Sequence, residues 1–534
     1  MTSQTTSRTG SFPILTVLLG VILFAFGAYA YATFRYGGDW IDSDTAMITR
    51  TIASVTDDGS VLNTSDPYGN GFTYQVVASF LIQVTGITVQ QLQRTVMPLG
   101  AGLLALVVFV AFRALLGKPS TALLATLLLF MQPDFLFVTW RGSHEKITWA
   151  LALTLLYLLA KGFRDRGFAS LSGLYYFVAF AFVCCNAFFA SSFLTGLAFS
   201  FIAGLVVFGI RRRIHRDGAQ DPIMIRFIQR TMYVTLATGV LLYRFFFYVY
   251  PPSVSLLFAF DNLVDRVAAL FVQYGTASSS NPYSFVTATW IDSRIYLVLI
   301  GVSLMFAGFS VLVWLPSMFN MIFRRSFDIK NSPSLLLWLM YPVFALQVAF
   351  ALIADRTSAG GNLQLRLFTP LMILAVPLVS SAVMDIWRKP WGRVYHTVVL
   401  IGLALAGTFF TGSGLLKLTN EPILSNNWVF TLNSERAAGT WAVEHAEHNV
   451  IWTGPEWRLT LYLLMAMPKL EPTRLQNAVT PGESADQFIV SRIEEVKWRR
   501  WHLAMPRVDQ HMLMYDNGAV RVYQKRMGIA LPTS

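Results

Sequence analysis

Three short stretches of the chain carry side chains that can do chemistry. The first is Gly37-Gly38-Asp39-Trp40-Ile41-Asp42-Ser43-Asp44-Thr45, which sets two carboxylates one residue apart. Asp42 and Asp44 can share a divalent cation such as Mg or Mn, or one can act as a base while the other orients it. The same residues also suit a helix start, with Asp42 or Ser43 as the cap of a helix through Ile52 and a further acid in its first turn. Capping and catalysis are compatible. The second stretch is Trp140-Arg141-Gly142-Ser143-His144-Glu145-Lys146. An Arg, a His, a Glu and a Lys between apolar runs are costly unless they face water, a metal or one another. The plainer reading is a loop rim of snorkelling charges, in which His144 is a hydrogen-bonded rim residue. The third stretch runs from Asp355-Arg356 through Gly360-Gly361 to Arg366. Guanidinium groups bind phosphate bidentately and a Gly-Gly loop lets the backbone approach an anion, whereas pairing of one arginine with Asp355 is the structural alternative.

Taken together, carboxylates and arginines in a wet pocket between helices suit transfer of a group from a lipid-linked phosphate donor. The acids would activate an acceptor or hold a metal, and the arginines would stabilise the leaving phosphate.

The elements that position these residues are membrane helices. Of 534 residues, 54% are hydrophobic and 13% charged, which excludes an ordinary soluble protein. At about 20 apolar residues per crossing, about eleven spans are expected, near 12–34, 95–115, 120–138, 146–161, 170–187, 190–210, 231–250, 295–316, 334–354, 367–386 and 394–415. The first has small residues at Ala28 and Ala30 like a signal peptide, but its apolar run is long for one, so it reads as an uncleaved anchor. The net charge of +12 is explained by topology. With the N-terminus inside, basic clusters such as Arg211-Arg212-Arg213 and Arg324-Arg325 fall on the cytoplasmic side and absorb the surplus, so no nucleic-acid partner is needed. Arg356 and Arg366 then lie outside, against the trend. Cys184 and Cys185 are adjacent in an apolar run and can neither staple the fold nor build a zinc site.

The expected organisation is a polytopic α-helical membrane domain over 1–417, with long outer loops at 35–94 and 251–294, and an extracytoplasmic α/β domain over 418–534. An apolar-periodic stretch from Phe72 to Ile87 reads as a helix lying along the interface. In the tail, helices are expected over Ala437–Ala446 and Pro455–Met467, and strands over Asn449–Trp452 and Phe488–Ser491. A hairpin is expected across Asp516-Asn517-Gly518.

The order of motifs resembles the GT-C superfamily of integral-membrane glycosyltransferases, especially the prokaryotic branch related to the oligosaccharyltransferase catalytic subunit. In that family an acid-x-acid pair follows the first span, with an arginine six residues after the second acid; Asp42, Asp44 and Arg50 keep that spacing. Arg141-Gly142-Ser143-His144-Glu145 is similar to the family's second acidic motif, with only Glu145 left as an acid. Arg366 resembles the arginine that binds donor phosphate. Two features depart from the oligosaccharyltransferases: the tail has no Trp-Trp-Asp motif, and 277–293 has no Glu.

The resemblance implies an inverting glycosyltransferase of the plasma membrane that moves a sugar from a polyprenyl-phosphate donor to a lipid, glycan or protein acceptor on the outer face. In that reading Asp44, Asp42 and Glu145 are catalytic, with Asp44 and Glu145 as candidate ligands of a divalent cation. Arg366 and Arg356 hold the donor phosphate, and Arg141, His144 and Arg50 support the site. A glycan polymerase of the same architecture and a lipid-linked glycan flippase are the competing readings. The flippase is the weaker, because no paired repeats are visible.

Overall fold

The computed structural model describes residues 11–35, 40, 43–59, 71–164, 171–215, 222–249, 290–323, 335–354, 363–388, 393–418, 431–445, 450–454, 457–467, 470–477, 481, 484–500, 508 and 511–525. The membrane half consists of α1 (Ser11–Phe34), α2 (Ser43–Asp58), α3 (Thr73–Thr85), α4 (Val89–Leu116, with a π turn over Leu92–Val96), α5 (Pro119–Phe130), α6 (Pro133–Trp140) and α7 (Glu145–Arg164). It continues with α8 (Ser172–Cys185), α9 (Ala187–His215), α10 (Pro222–Val249), α11 (Trp290–Phe323), α12 (Leu335–Ala354), α13 (Leu363–Trp387) and α14 (Arg393–Leu418). Helices suit this environment because every backbone polar group is satisfied within the segment.

Among the described residues, five helices are long and apolar enough to cross a membrane: Ile14–Phe34, Val89–Leu116, Ala187–Ile214, Leu367–Trp387 and His396–Leu415. Ser172–Cys185, Met305–Asn320 and Leu335–Ala351 are shorter apolar helices. The span expected near 120–138 is broken: α5 and α6 meet at a 72° bend. Pro133 is the cause. It supplies no backbone N–H, and it holds the preceding Gln132 in an extended conformation at φ −72°, ψ 124°. The bend re-aims α6 so that its C-terminal end delivers Arg141.

One apolar core runs through the membrane half, from Tyr29 on α1 through Phe112, Phe130, Phe135 and Trp140 to Tyr341 and Met372. Buried polar tips find partners within it. Tyr29 Oη lies 2.6 Å from Thr139 Oγ1, and the Trp140 indole donates to Thr33 Oγ1 at 3.1 Å. The helix expected over Phe72–Ile87 is α3, closed by Gly86 in the left-handed region at φ 70°. Its approach is fixed by Gly71 and Phe72. Phe72 N donates to Cys184 O at 2.8 Å, and a Cβ on Gly71 would run into Cys185 O, so the chain passes the end of α8 too closely for any side chain.

The tail forms α15 (Asn433–His445), β1 (Val450–Trp452), α16 (Trp457–Ala466), β2 (Leu475–Gln476), β3 (Ala485–Ser491), α17 (Arg492–Arg500), β4 (Met512–Asp516) and β5 (Val520–Gln524). The sheet order is β2-β1-β3-β5-β4. The first three strands are parallel, and β3, β5 and β4 are antiparallel. The expected helices, strands and hairpin are all present, with Gly518 at φ 81° in the turn. One face of the sheet packs Ile451, Ile489, Val520 and Val522 against Ala438, Ala442 and Leu463; the other packs Trp452, Phe488 and Trp498.

Helix α2 joins the two halves. Ile48 and Ile52, one turn apart, pack with Tyr74, Ala78 and Leu92 of α3 and α4. A neighbouring stripe, Ala46 and Met47, packs on Leu461, Met465 and the tail core. Arg50 Nη1 donates to Leu470 O at 2.7 Å. The first turn of α2 carries Asp44.

Candidate active site

The site assembles where the start of α2 meets the turn between α6 and α7. Asp44 sits in the first turn of α2, where the helix dipole favours an anion. Glu145 opens α7 in the same way. Between them lies Arg141, the residue that ends α6. Its Nη1 pairs with Asp44 Oδ2 at 2.6 Å and its Nη2 with Glu145 Oε1, one terminal nitrogen to each carboxylate. Glu145 is buried, with its other oxygen, Oε2, accepting from Ser143 Oγ. The side chains of Asp44 and Arg141 stay 19% and 14% exposed, so the pair faces an opening whereas Glu145 backs it.

The turn carrying Arg141 is clamped from both sides. Gly142 N donates to Thr45 Oγ1 at 3.0 Å, and Gly142 O accepts from Gln93 Nε2 at 2.7 Å. A Cβ on Gly142 would lie 2.7 Å from both Gln93 O and Thr45 Cγ2, so glycine is required by the close approach of α2 and α4. Gln93 is itself held by the Tyr74 hydroxyl, which donates to Oε1. Burial pushes the Tyr74 phenol well above its ordinary range, so it remains a donor. Lys146 is also buried; its ammonium donates to Arg141 O at 2.5 Å and Ser143 O at 3.0 Å and lies 5.8 Å from the Tyr74 ring centre. Backbone carbonyls and a ring face thus satisfy a charge that would otherwise be expensive to bury.

His144 points away from the carboxylates, toward the α8–α9 junction. Its Nε2 lies 2.5 Å from Asn186 Nδ2, while Asn186 Oδ1 accepts from Phe189 N at 2.9 Å. That second bond orients the amide so that its NH2 faces the ring, making Nε2 the acceptor of a neutral imidazole. Enclosure of the ring lowers its pKa, against the opposing pull of Glu145 and Asp44. His144 is therefore a hydrogen-bonded, enclosed residue that anchors the turn.

The structure brings together Asp44, Glu145 and Arg141, with His144 beside them. Arg50 reaches the tail, where its Nη1 donates to Leu470 O. Arg366 stands in the first turn of α13; its side chain, together with Asp42 and Arg356, lies outside the described residues. Sequence reasoning missed Thr45, Tyr74 and Gln93. Their only sequence signal is a polar residue on the buried stripe of an otherwise amphipathic helix, which periodicity discards.

Among the described residues, which do not include Asp42, the donors do not suit a divalent cation while Arg141 is in place. Both oxygens of Glu145 are taken by Arg141 and Ser143, and Asp44 Oδ2 is taken by Arg141. Among the described residues no three His, Cys, Asp or Glu side chains are grouped to hold a metal.

No protein-family model matches the chain, and no curated protein matches it. Solved structures of one archaeal enzyme do match. The apo form of the Archaeoglobus fulgidus oligosaccharyltransferase superposes with a TM-score of 0.58 at 12% identity, covering 98% of this chain and 76% of that one. The same enzyme, AglB, in complex with an inhibitory peptide and a dolichol-phosphate gives 0.55 at 11% identity over 91% and 70% of the two chains. Its complex with Zn and sulfate gives 0.53 at 11% identity over 95% and 73%. At these identities the likeness is one of fold: the chain shares the fold of this archaeal oligosaccharyltransferase.

Proposed function

We propose that the chain is a membrane glycosyltransferase that moves a sugar from a polyprenyl-phosphate-linked donor to a hydroxyl of a lipid, glycan or protein on the outer face of the membrane. The observation that carries this reading is the Asp44–Arg141–Glu145 cluster at the start of α2, beneath the tail, in a fold shared with an enzyme whose structure holds a dolichol-phosphate.

In the proposed reaction the acceptor oxygen attacks the anomeric carbon as the bond from that carbon to the phosphate oxygen breaks. Asp44 takes the hydroxyl proton, polyprenyl phosphate leaves with the bonding pair, and the anomeric centre inverts. Glu145 and Arg141 hold Asp44 in position. Arg366 and Arg356 neutralise the departing phosphate. Residues 1–417 serve as the membrane domain and 418–534 as an outer domain that covers the acceptor side. A hydroxyl suits this site better than an amide, because one carboxylate suffices to remove its proton, whereas an amide nitrogen is a poor nucleophile that needs further activation.

The test is sugar transfer from polyprenyl-phosphate sugars in membranes carrying Asp44→Asn, with products read by mass spectrometry. Turnover is expected to fall by at least about a hundredfold, the scale of losing a general base. Wild-type turnover in a folded Asp44→Asn protein would remove the reading.

A further inference from the structure

We infer that Arg141 is the built-in cation of this site, occupying the place between Asp44 and Glu145 that a divalent metal would need. This bears on the site proposed above, and its consequence for turnover rests on that reading.

Three observations support it. The guanidinium divides its two terminal nitrogens between the two carboxylates, so it links them as a bridging cation would. It cannot swing aside cheaply: Arg141 ends α6, its carbonyl is held by Lys146 and by Ser143 N at 2.8 Å, and its guanidinium lies 5.1 Å from the Phe137 ring centre. The next residue, Gly142, is clamped between α2 and α4. Finally, Glu145 is buried with both oxygens accepting hydrogen bonds, so an ion beside Asp44 would compete with Arg141 and Ser143 for them. A divalent ion bound there would have to displace the guanidinium or sit against it, a like-charge contact in a largely desolvated place. A guanidinium also differs from a metal in what it supplies. It fixes and neutralises carboxylates through directional N–H bonds and offers no open coordination position to an acceptor. Among the described residues the acceptor then meets Asp44 rather than a metal ion.

The test titrates Mn2+ into the full chain in detergent and follows bound ion by electron paramagnetic resonance. Wild-type protein is expected to show no ion that depends on Asp44. Arg141→Met is expected to bind Mn2+ at least tenfold more tightly than wild type, and the gain should vanish in Arg141→Met with Asp44→Asn. If Arg141→Met fails to fold, Arg141→Gln replaces it. Stoichiometric Mn2+ in wild type that Asp44→Asn abolishes would overturn the inference, as would folded Arg141 variants that gain no ion. Chelation should change wild-type turnover by less than twofold, and a loss restored by Mn2+ would also overturn it. The ion-binding arms are read without any substrate, so failure of the transfer reading leaves them decisive.

Discussion

Asp44 and Glu145 stand 101 positions apart in sequence, and a single guanidinium joins them. Their roles differ by exposure: Asp44 meets the opening, whereas Glu145 sets the guanidinium from behind. His144 gives this residue-scale picture a pH signature. Its ring is neutral in the fold and its pKa lies below the ordinary 6.5 because of burial, with Arg141 and Lys146 adding to the lowering and Glu145 and Asp44 opposing it. The unfolded chain therefore takes up this proton first. Stability is full above about pH 6.5 and is lost as pH falls from there toward the folded value, below which the loss is constant. Urea midpoints measured between pH 7.5 and 5 should fall less in His144→Gln, which can still accept from Asn186, than in wild type. Parallel curves would sink the assignment of a neutral, enclosed His144.

At the scale of elements, the site depends on a turn rather than on a helix. Pro133 breaks the α5–α6 run, α6 redirects the chain by 72°, and Gly142 lets the turn pass between Thr45 and Gln93. Gly142→Ala forces a Cβ to within 2.7 Å of a backbone carbonyl on α4, which cannot yield without moving that helix. The expected cost is about 1–3 kcal/mol, the usual penalty of overpacking, together with loss of transfer because Arg141 moves with the turn. Thermal unfolding in detergent checks the first part; an unchanged Tm would mean that the turn has slack the contacts do not show.

At the scale of the whole molecule, α2 is the coupling element, since it carries Asp44 and also receives the tail. Arg50 and the Ala46–Met47 stripe are its contacts with α16 and Leu470. Arg50→Ala should weaken this junction by about 1.5–3 kcal/mol, the worth of a charged hydrogen bond. Backbone amides of α16 would then exchange faster in hydrogen-exchange mass spectrometry, while those of α9 stay as they are. Equal protection in both proteins would show that apolar packing alone holds the tail. The helices and strands of the tail, its hairpin at Asp516-Asn517-Gly518 and helix α3 were legible in the sequence, because local periodicity and turn chemistry determine them. The sequence also marked Asp44, Arg141 and Glu145, which the structure brings together. The sequence could not show that Arg141 bridges the acids, that Arg50 serves the tail, or that the span at 120–138 is bent. The first two are contacts between distant segments, chosen by how helices pack, and one-dimensional spacing carries no record of them. The bend had a local signal in Pro133, yet the apolar run around it hides the break, since hydropathy averages over the window in which a single missing N–H decides the geometry.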